Sequence, residues 1–418
     1  MVEIVEVRAP MVVKKDTLEF NAGYYKPREN AVMEELLKKL PGVEIAADGT
    51  IKVNGETVKN ILVDGKPFFG DDPKLATRNL PADMIDKVQL IDRKSDQAQF
   101  MGMEDAQRDK EINVILKEKN DQFLGSMAAG AGTEGRFAGN LSINRFGEGE
   151  QVSFLGGANN VNNTGFLQGT GQGIGVNGIT RSWNGGVNYN KDLSDELKVS
   201  ASYMTNSNRT ENEQTSTRQN LLPDTTYYYN QQSVRVTSQT NHIIDMRTEY
   251  RPDTLHYLMV TGSLNFMSTD NLQQDIYESS DGEHRLVNSG QLFNNNTAKA
   301  PNAGASIFFG KQFKKKGRKL GANFYFMNNV NRQEGYNRSN NLFIEPVGEP
   351  GRDTVNQLNE QDSRHRLVQL SVTYSEPLFK NYFLDFFYAQ IRNYTTTGKL
   401  TRDFNEAKRA YDQLNDSL

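Results

Sequence analysis

Cysteine is absent from the chain, which excludes thiol catalysis, disulfides and cysteine-based zinc sites and fits an oxidising compartment without requiring one. Long apolar runs are absent too. Hydrophobic residues make up 36% and mean hydropathy is −0.68, and no segment approaches the roughly 20 apolar residues a spanning helix needs. Residues 1–20, MVEIVEVRAPMVVKKDTLEF, lack the apolar core of a secretory signal. Charge of one sign is scarce as well. A formal net charge of −4 over 418 residues leaves no basic stripe for nucleic acid.

A polar chain of this kind suggests disorder, but 22 Phe and 17 Tyr argue against it. One class is polar on average yet rich in aromatics, because its strands face lipid only at every second side chain. That class is the transmembrane β-barrel.

Residues 1 to about 120 read as a mixed α/β domain. Asn30 is placed to cap a helix over AVMEELLKKL, with Glu34 in the first turn, Lys38 and Lys39 near the end, and Pro41-Gly42 to stop it. Val32, Leu36 and Leu40 share one face, flanked by Met33 and Leu37. VEIAADGTIKVNG alternates around Asp48-Gly49, a hairpin signal, and ILVDGKPFF repeats that chemistry at Asp64-Gly65. Pro81 opens a short helical stretch to Ile85, and KVQLID returns to a strand.

From about Phe123 the period becomes two. Phe137, Gly139, Leu141 and Ile143 oppose Ala138, Asn140, Ser142 and Asn144. Leu197, Val199, Ala201 and Tyr203 oppose Lys198, Ser200 and Ser202. Trp183, Val187 and Tyr189 oppose Asn184, Asn188 and Asn190. About eleven strands are expected, starting near 123, 135, 150, 181, 196, 239, 254, 302, 318, 364 and 381. Tight joints fall at 146–150, 191–196, 251–254, 314–317 and 375–380. Between them lie polar stretches near 160–180, 207–239, 269–299 and 331–363, read as loops far longer than ordinary connections. All of these leave the same rim, as the extracellular loops of an outer-membrane barrel do. Tyr250, Tyr257, Tyr325, Tyr374 and Tyr394 are candidates for its aromatic girdles.

The order of motifs in the first domain resembles the plug of TonB-dependent receptors. It runs Leu40-Pro41-Gly42-Val43, Ile61 to Gly65, Asn79-Leu80-Pro81, Ile85-Asp86-Lys87-Val88, then Glu111 to Lys117 in place of the closing plug strand. DGTIKVNG and LVDGKPFFG are similar to the Bacteroidota-type outer-membrane β-barrel proteins. The resemblance covers residues 12–120 by motif and the remainder by architecture. It implies an N-terminal extension (1–15), a plug domain (16–120), and the N-terminal half of an outer-membrane barrel (121–418). The implied fold is mainly β, a small α/β plug followed by a partial antiparallel transmembrane barrel. The implied function is uptake of a scarce solute in the cell outer membrane, with an inner-membrane TonB complex, a small-molecule, glycan or peptide ligand and outer-membrane lipid as partners, and no nucleic acid. The chain departs from that family in its Asp109-Lys110, where a double glycine is usual, and in having about half of the roughly 22 strands. Its ending, DQLNDSL, is not an aromatic-ended last strand. A fragment that does not work alone is therefore expected. A non-transporting adhesion barrel and a soluble β-sandwich carbohydrate-active protein are the alternative readings.

Other motifs carry blander readings. Gly173, Gly175 and Gly178 spell G-x-G-x-x-G, but a Gly/Asn-rich stretch precedes them and a strand follows, so an external loop is expected rather than a nucleotide site. His242, His256, His284 and His365 lack metal-ligand spacing. KKKGRK (314–319) reads as a solvated turn. Asp64, Asp71, Asp72, Asp83, Asp86, Asp92 and Asp96 form an acidic series, of which the first three sit at Gly/Pro turns. No catalytic, cofactor or metal residues are assigned, and no enzyme is expected.

Overall fold

The computed structural model describes residues 9–14, 16–28, 31–46, 49–70, 73–104, 108–117, 120–162, 178–223, 225–344, 349–379 and 382–415. They form two sheets, a small mixed one from the first quarter of the chain and a large antiparallel one from the rest.

The small domain contains β1 (Met11–Lys14), β2 (Thr17–Asn21), α1 (Met33–Leu37), β3 (Val43–Ile45), β4 (Ile51–Val53), β5 (Glu56–Val63), β6 (Lys66–Pro67), α2 (Pro73–Asn79), β7 (Ile85–Arg93), α3 (Asp96–Met101) and β8 (Asp109–Leu116). Its sheet order is β1-β2-β7-β8-β5-β4-β3, with β6 on β5 and one parallel pair, β5 with β8. Those two central strands read ILV and INVI because both of their faces are covered. Their Ile61, Val63, Ile112 and Val114 join Phe20, Leu36, Leu37, Leu75, Ile85 and Val88 in one core. Each such side chain contributes roughly 1.5–3 kcal/mol on burial.

Two turns anticipated from the sequence form around the expected residues. β3 pairs with β4 across the Asp48-Gly49 hairpin, although Asp48 itself lies outside the described residues. Asp64 and Gly65 have φ of 50° and 78°, the two left-handed positions of a tight hairpin turn. Asn54-Gly55, between β4 and β5, adopts the same conformation. The first helix is shorter than expected. Val32 is held in a bridge to Pro81, so α1 begins only at Met33, whose N–H donates to the Leu80 carbonyl at 2.8 Å. The buried face is accordingly Met33, Leu36, Leu37 and Leu40, with Val32 at its margin. The proposed cap Asn30 lies outside the described residues. A 3-10 turn over Ala82–Met84 follows Pro81.

The large sheet has twelve strands in sequence order: β9 (Asn120–Ala131), β10 (Phe137–Phe146), β11 (Glu150–Asn159), β12 (Ile179–Asp192), β13 (Leu197–Leu221), β14 (Thr226–Tyr250), β15 (His256–Ser280), β16 (Leu286–Gln312), β17 (Lys319–Phe343), β18 (Gly351–Phe379), β19 (Tyr382–Asn405) and β20 (Ala410–Leu414). Every neighbouring pair is an antiparallel hairpin. Among the described residues the path stays open, ending on β9 at one edge and β20 at the other.

Three of the expected long loops are not loops. β13 and β14 stay paired from Leu197↔Tyr250 up to Leu221↔Thr226, so 207–239 is ribbon. The same holds for 269–299 in β15 and β16, and for 331–363 in β17 and β18. The reason is physical. A ribbon wet on both faces has no apolar alternation to betray it, yet its backbone groups still pair across the hairpin. Both rims therefore carry short connections, except for 160–178 between β11 and β12, most of which lies outside the described residues. The strand starts expected at 239, 302 and 364 move back to 226, 286 and 351, and β20 is additional.

Candidate functional site

The large sheet is inverted relative to a soluble protein. One cross-strand row reads Ser153–Asn188–Ser202–Asp245–Ser263 and faces the small domain. The adjacent row, one residue away on each strand, reads Phe154–Val187–Tyr203–Ile244–Leu264 and faces away. Ser153 is 0% exposed and Asn188 2%, whereas Phe154 is 42% exposed and Leu264 40%. Ser153, Asn188 and Ser202 are buried on the side of the small domain, and the large apolar side chains of the other row are bare.

The small domain touches the inner face through two anchors. The first is the turn after β6. Phe69, with φ of 52°, is wholly buried. Its N–H donates to Asn188 Oδ1 at 3.1 Å, and its ring lies so close to Gly186 that a Cβ there would come within 2.8 Å. Around it Gln151 Nε2 donates to the Val63 carbonyl, Asn190 Nδ2 donates to the Pro67 carbonyl, and Lys66 pairs with Asp192. A left-handed Phe costs roughly 1–3 kcal/mol, so these contacts hold it against its own preference.

The second anchor is α3. Ser95 caps it by accepting from the Ala98 N–H, and Gly102 closes it at φ 76°. Phe100 stacks on Tyr257 at 5.9 Å and meets Phe308 edge-on at 5.8 Å. It enters a notch made by Gly310, where a Cβ would lie 2.6 Å from its ring. Lys319 Nζ donates to the Phe100 carbonyl, and Gln97 Nε2 donates to Thr373 Oγ1. Asp96 bonds both Arg93 of its own domain at 2.7 Å and Arg247 of β14 at 3.3 Å. Burial raises the Asp96 pKa, but the Arg247 and Arg93 guanidiniums outweigh it and hold the carboxyl below its ordinary range.

Between the anchors lies a cavity of about 510 Å³. Charged groups from both sides line it: Arg93, Asp96 and Glu111 from the small domain, and Asp245, Arg247 and Glu249 from the wall. Arg93 also pairs with Glu111 at 3.0 Å. These charges largely satisfy one another, so the site is a polar seam held by ion pairs and aromatic insertion.

The residues singled out in the sequence scatter. His242 meets Tyr203 Oη at 2.9 Å, His256 bonds Asp253, and His284 stacks on Tyr228. His365 sits on β18 opposite Thr395. No group of three potential metal ligands exists among the described residues. Within 314–319, Lys315 and Arg318 both bind Glu376. In the acidic series Asp64 accepts from the Leu116 N–H, Asp92 pairs with Lys110, and Asp83 and Asp86 lie in the turn and strand after Pro81. Among the described members of the series only Asp96 reaches the seam. Asp71, Asp72, Gly173 and Gly175 lie outside the described residues, while Gly178 has φ of 116° just before β12. Of the five girdle candidates, Tyr250 and Tyr394 are exposed and Tyr374 shares their outer face. Tyr257 and Tyr325 belong instead to the inner face, Tyr257 being buried on Phe100 and Tyr325 lining the cavity. Alternation fixes which residues share a face, and these two fall on the odd-numbered inner side of their strands.

No family model and no curated protein matches the chain. Solved structures do. The siderophore receptor PirA from Pseudomonas aeruginosa aligns over 94% of this chain and 93% of its own, at 12% identity and a TM-score of 0.27. The ferric-catecholate import receptor Fiu from E. coli K12 aligns over 93% of this chain at 10% identity and a TM-score of 0.34, the chain covering 63% of that protein's length. The copper transporter OprC aligns over 94% of this chain and 83% of its own, at 10% identity and a TM-score of 0.27. Likenesses this loose bear on neither ligand nor mechanism.

Proposed function

We propose that the chain is the plug and part of the barrel wall of an outer-membrane receptor that admits a scarce solute. The observation that carries this reading is the inverted sheet. A large apolar face left bare in water destabilises a soluble protein and invites aggregation, whereas the same face in lipid is what a barrel wall requires. A soluble β-sandwich would bury that apolar face and wet the polar one. The small domain packs on the polar side, where a plug would sit.

The resemblance of residues 12–120 to plug domains supplies the rest of the reading. A TonB partner, driven by the proton gradient, would shift the plug once a ligand binds. Such a switch needs ligand contacts that differ between its two states. The seam has a hinge-like division of labour to offer, with α3 and the Phe69 turn as separate attachments. Edge strands β9 and β19–β20 present unpaired backbone groups, each costing several kcal/mol in hydrocarbon. We propose that further strands close the wall.

Fractionation tests the core of this reading. Expressed with an export signal in a Gram-negative host, the chain is expected in the outer-membrane fraction, resistant to alkaline carbonate and released by detergent. Recovery as a soluble monomer without detergent would overturn it. A non-transporting adhesion barrel would instead bind ligand without taking it up, and its binding would survive both collapse of the proton gradient and deletion of residues 1–120.

A further inference from the structure

Above the apolar belt, β13 to β18 continue as a tall ribbon wall, and its two faces differ sharply in chemistry. Register defines the inner face as the one continuous with Asn188, Arg247 and Thr373. On that face one cross-strand row reads Asn212–Arg235–Gln273–Asn294–Asn337–Gln357. The outer row nearby reads Arg209–Ser238–Asp270–Thr297–Glu334–Glu360. The pattern is general. In the three inner rows beginning at Asn208, Thr210 and Asn212, twelve of eighteen side chains are Asn or Gln and one is charged. In the outer rows beginning at Ser207, Arg209 and Glu211, eight of eighteen are charged and one is an amide.

Solvation alone does not produce this partition, since both faces are wet and either type of side chain would serve. A carboxamide offers a donor and an acceptor with no net charge. Strand geometry sets these groups on a grid of about 4.8 by 7 Å. The Oδ1 atoms of Asn208, Asn288 and Asn337 are buried without a hydrogen-bond partner in the chain, so each keeps an unused acceptor. Higher on the same face, Tyr229 and Tyr277 stack at 5.8 Å and add aromatic surface.

Resting on the receptor reading, we infer that the inner wall above the plug binds an uncharged, polyhydroxylated ligand, a neutral oligosaccharide. Hydroxyl groups match carboxamides as both donors and acceptors, and apolar sugar faces stack on tyrosine rings. A ferric chelate with net negative charge would call for a cluster of cations, and the three amide-rich rows hold only Arg235. A peptide would bring charged ends and side chains that the same rows leave unmatched.

The test uses the full chain in detergent micelles against an array of neutral and anionic oligosaccharides, with a ferric tris-catecholate complex and neutral and charged peptides as further probes. Retention is expected on neutral oligosaccharides alone. Replacing Asn294→Asp together with Asn337→Asp should weaken that binding at least about tenfold, as the loss of one to two hydrogen bonds implies. Gln274→Glu, on the outer face of β15 beside Gln273, should leave it unchanged. Preference for the ferric complex or the peptides, absence of any oligosaccharide retention, or equal effects of the inner and outer substitutions each overturns the inference. The first two outcomes leave the receptor reading standing if the chain still fractionates with the outer membrane. A soluble chain would instead remove that reading, and with it this one.

Discussion

Asp96 and Arg247 lie 151 positions apart in sequence and join the small domain to the wall, both side chains mostly buried. Each also keeps a second partner, Arg93 for Asp96 and Glu249 for Arg247. Removing one leaves the other charge only partly compensated, so the pair should couple. A double-mutant cycle of Asp96→Asn and Arg247→Gln, read by thermal unfolding, should give a coupling energy of about 1–3 kcal/mol; a value near zero would mean that the anchor rests on Phe100 and the Lys319 and Gln97 hydrogen bonds rather than on this ion pair. Glu19 is a second informative residue. It accepts from Lys14 and Gln89 and pairs with Lys87, and these contacts, Lys14 first, hold its pKa at about 2 against an ordinary 4.5. Because the folded value is depressed, its contribution is complete above about pH 4.5 and is lost as the pH falls toward 2. Glu19→Gln should cost the small domain about 2 kcal/mol at neutral pH and flatten that acid limb. Identical acid-unfolding curves for the two proteins would refute the assignment.

At the scale of elements, the sequence was most readable where backbone geometry demanded particular residues. Asp64-Gly65 marked its turn because few residues tolerate two successive left-handed positions. Trp183, Val187 and Tyr189 mark the outer face of β12 because they alternate with Asn184, Asn188 and Asn190, which are buried on the other. Two short helices carry only terminal signals in the sequence: Pro73 opens α2, and Ser95 and Gly102 bracket α3. At seven and six residues they are too short for periodicity to rise above its surroundings. The seam itself could not be read, since nothing local links Phe100 to Gly310. The upper ribbons read as loops in the sequence because carboxamides on one face and charged side chains on the other are both polar, which erases the two-residue period of hydropathy. The pairing of these ribbons is measurable. Backbone amides of 207–221 and 226–239 should be protected in hydrogen exchange nearly as well as those of 197–206, whereas free loops would exchange at once. For α3, Gly310→Val should displace Phe100 and Phe100→Ala should cost about 3 kcal/mol, both raising protease sensitivity at 94–104. Unchanged cleavage would show that the notch does not seat the helix.

The whole molecule turns on one inversion, a sheet whose covered face is polar and whose bare face is apolar. Seated on the polar side, the small domain serves as filling rather than as a neighbouring domain. Its contacts therefore reach strands as far apart as β11 and β18. The absence of native cysteine permits a direct measurement on adjacent residues of β15. Spin labels at Leu264→Cys and Ser263→Cys, in chain reconstituted into lipid bilayers, report collisions with oxygen, which partitions into lipid, and with a nickel chelate, which stays in water. The account predicts that the label at 264 collides mainly with oxygen and the label at 263 mainly with nickel. Equal access of the nickel chelate to both positions would contradict it.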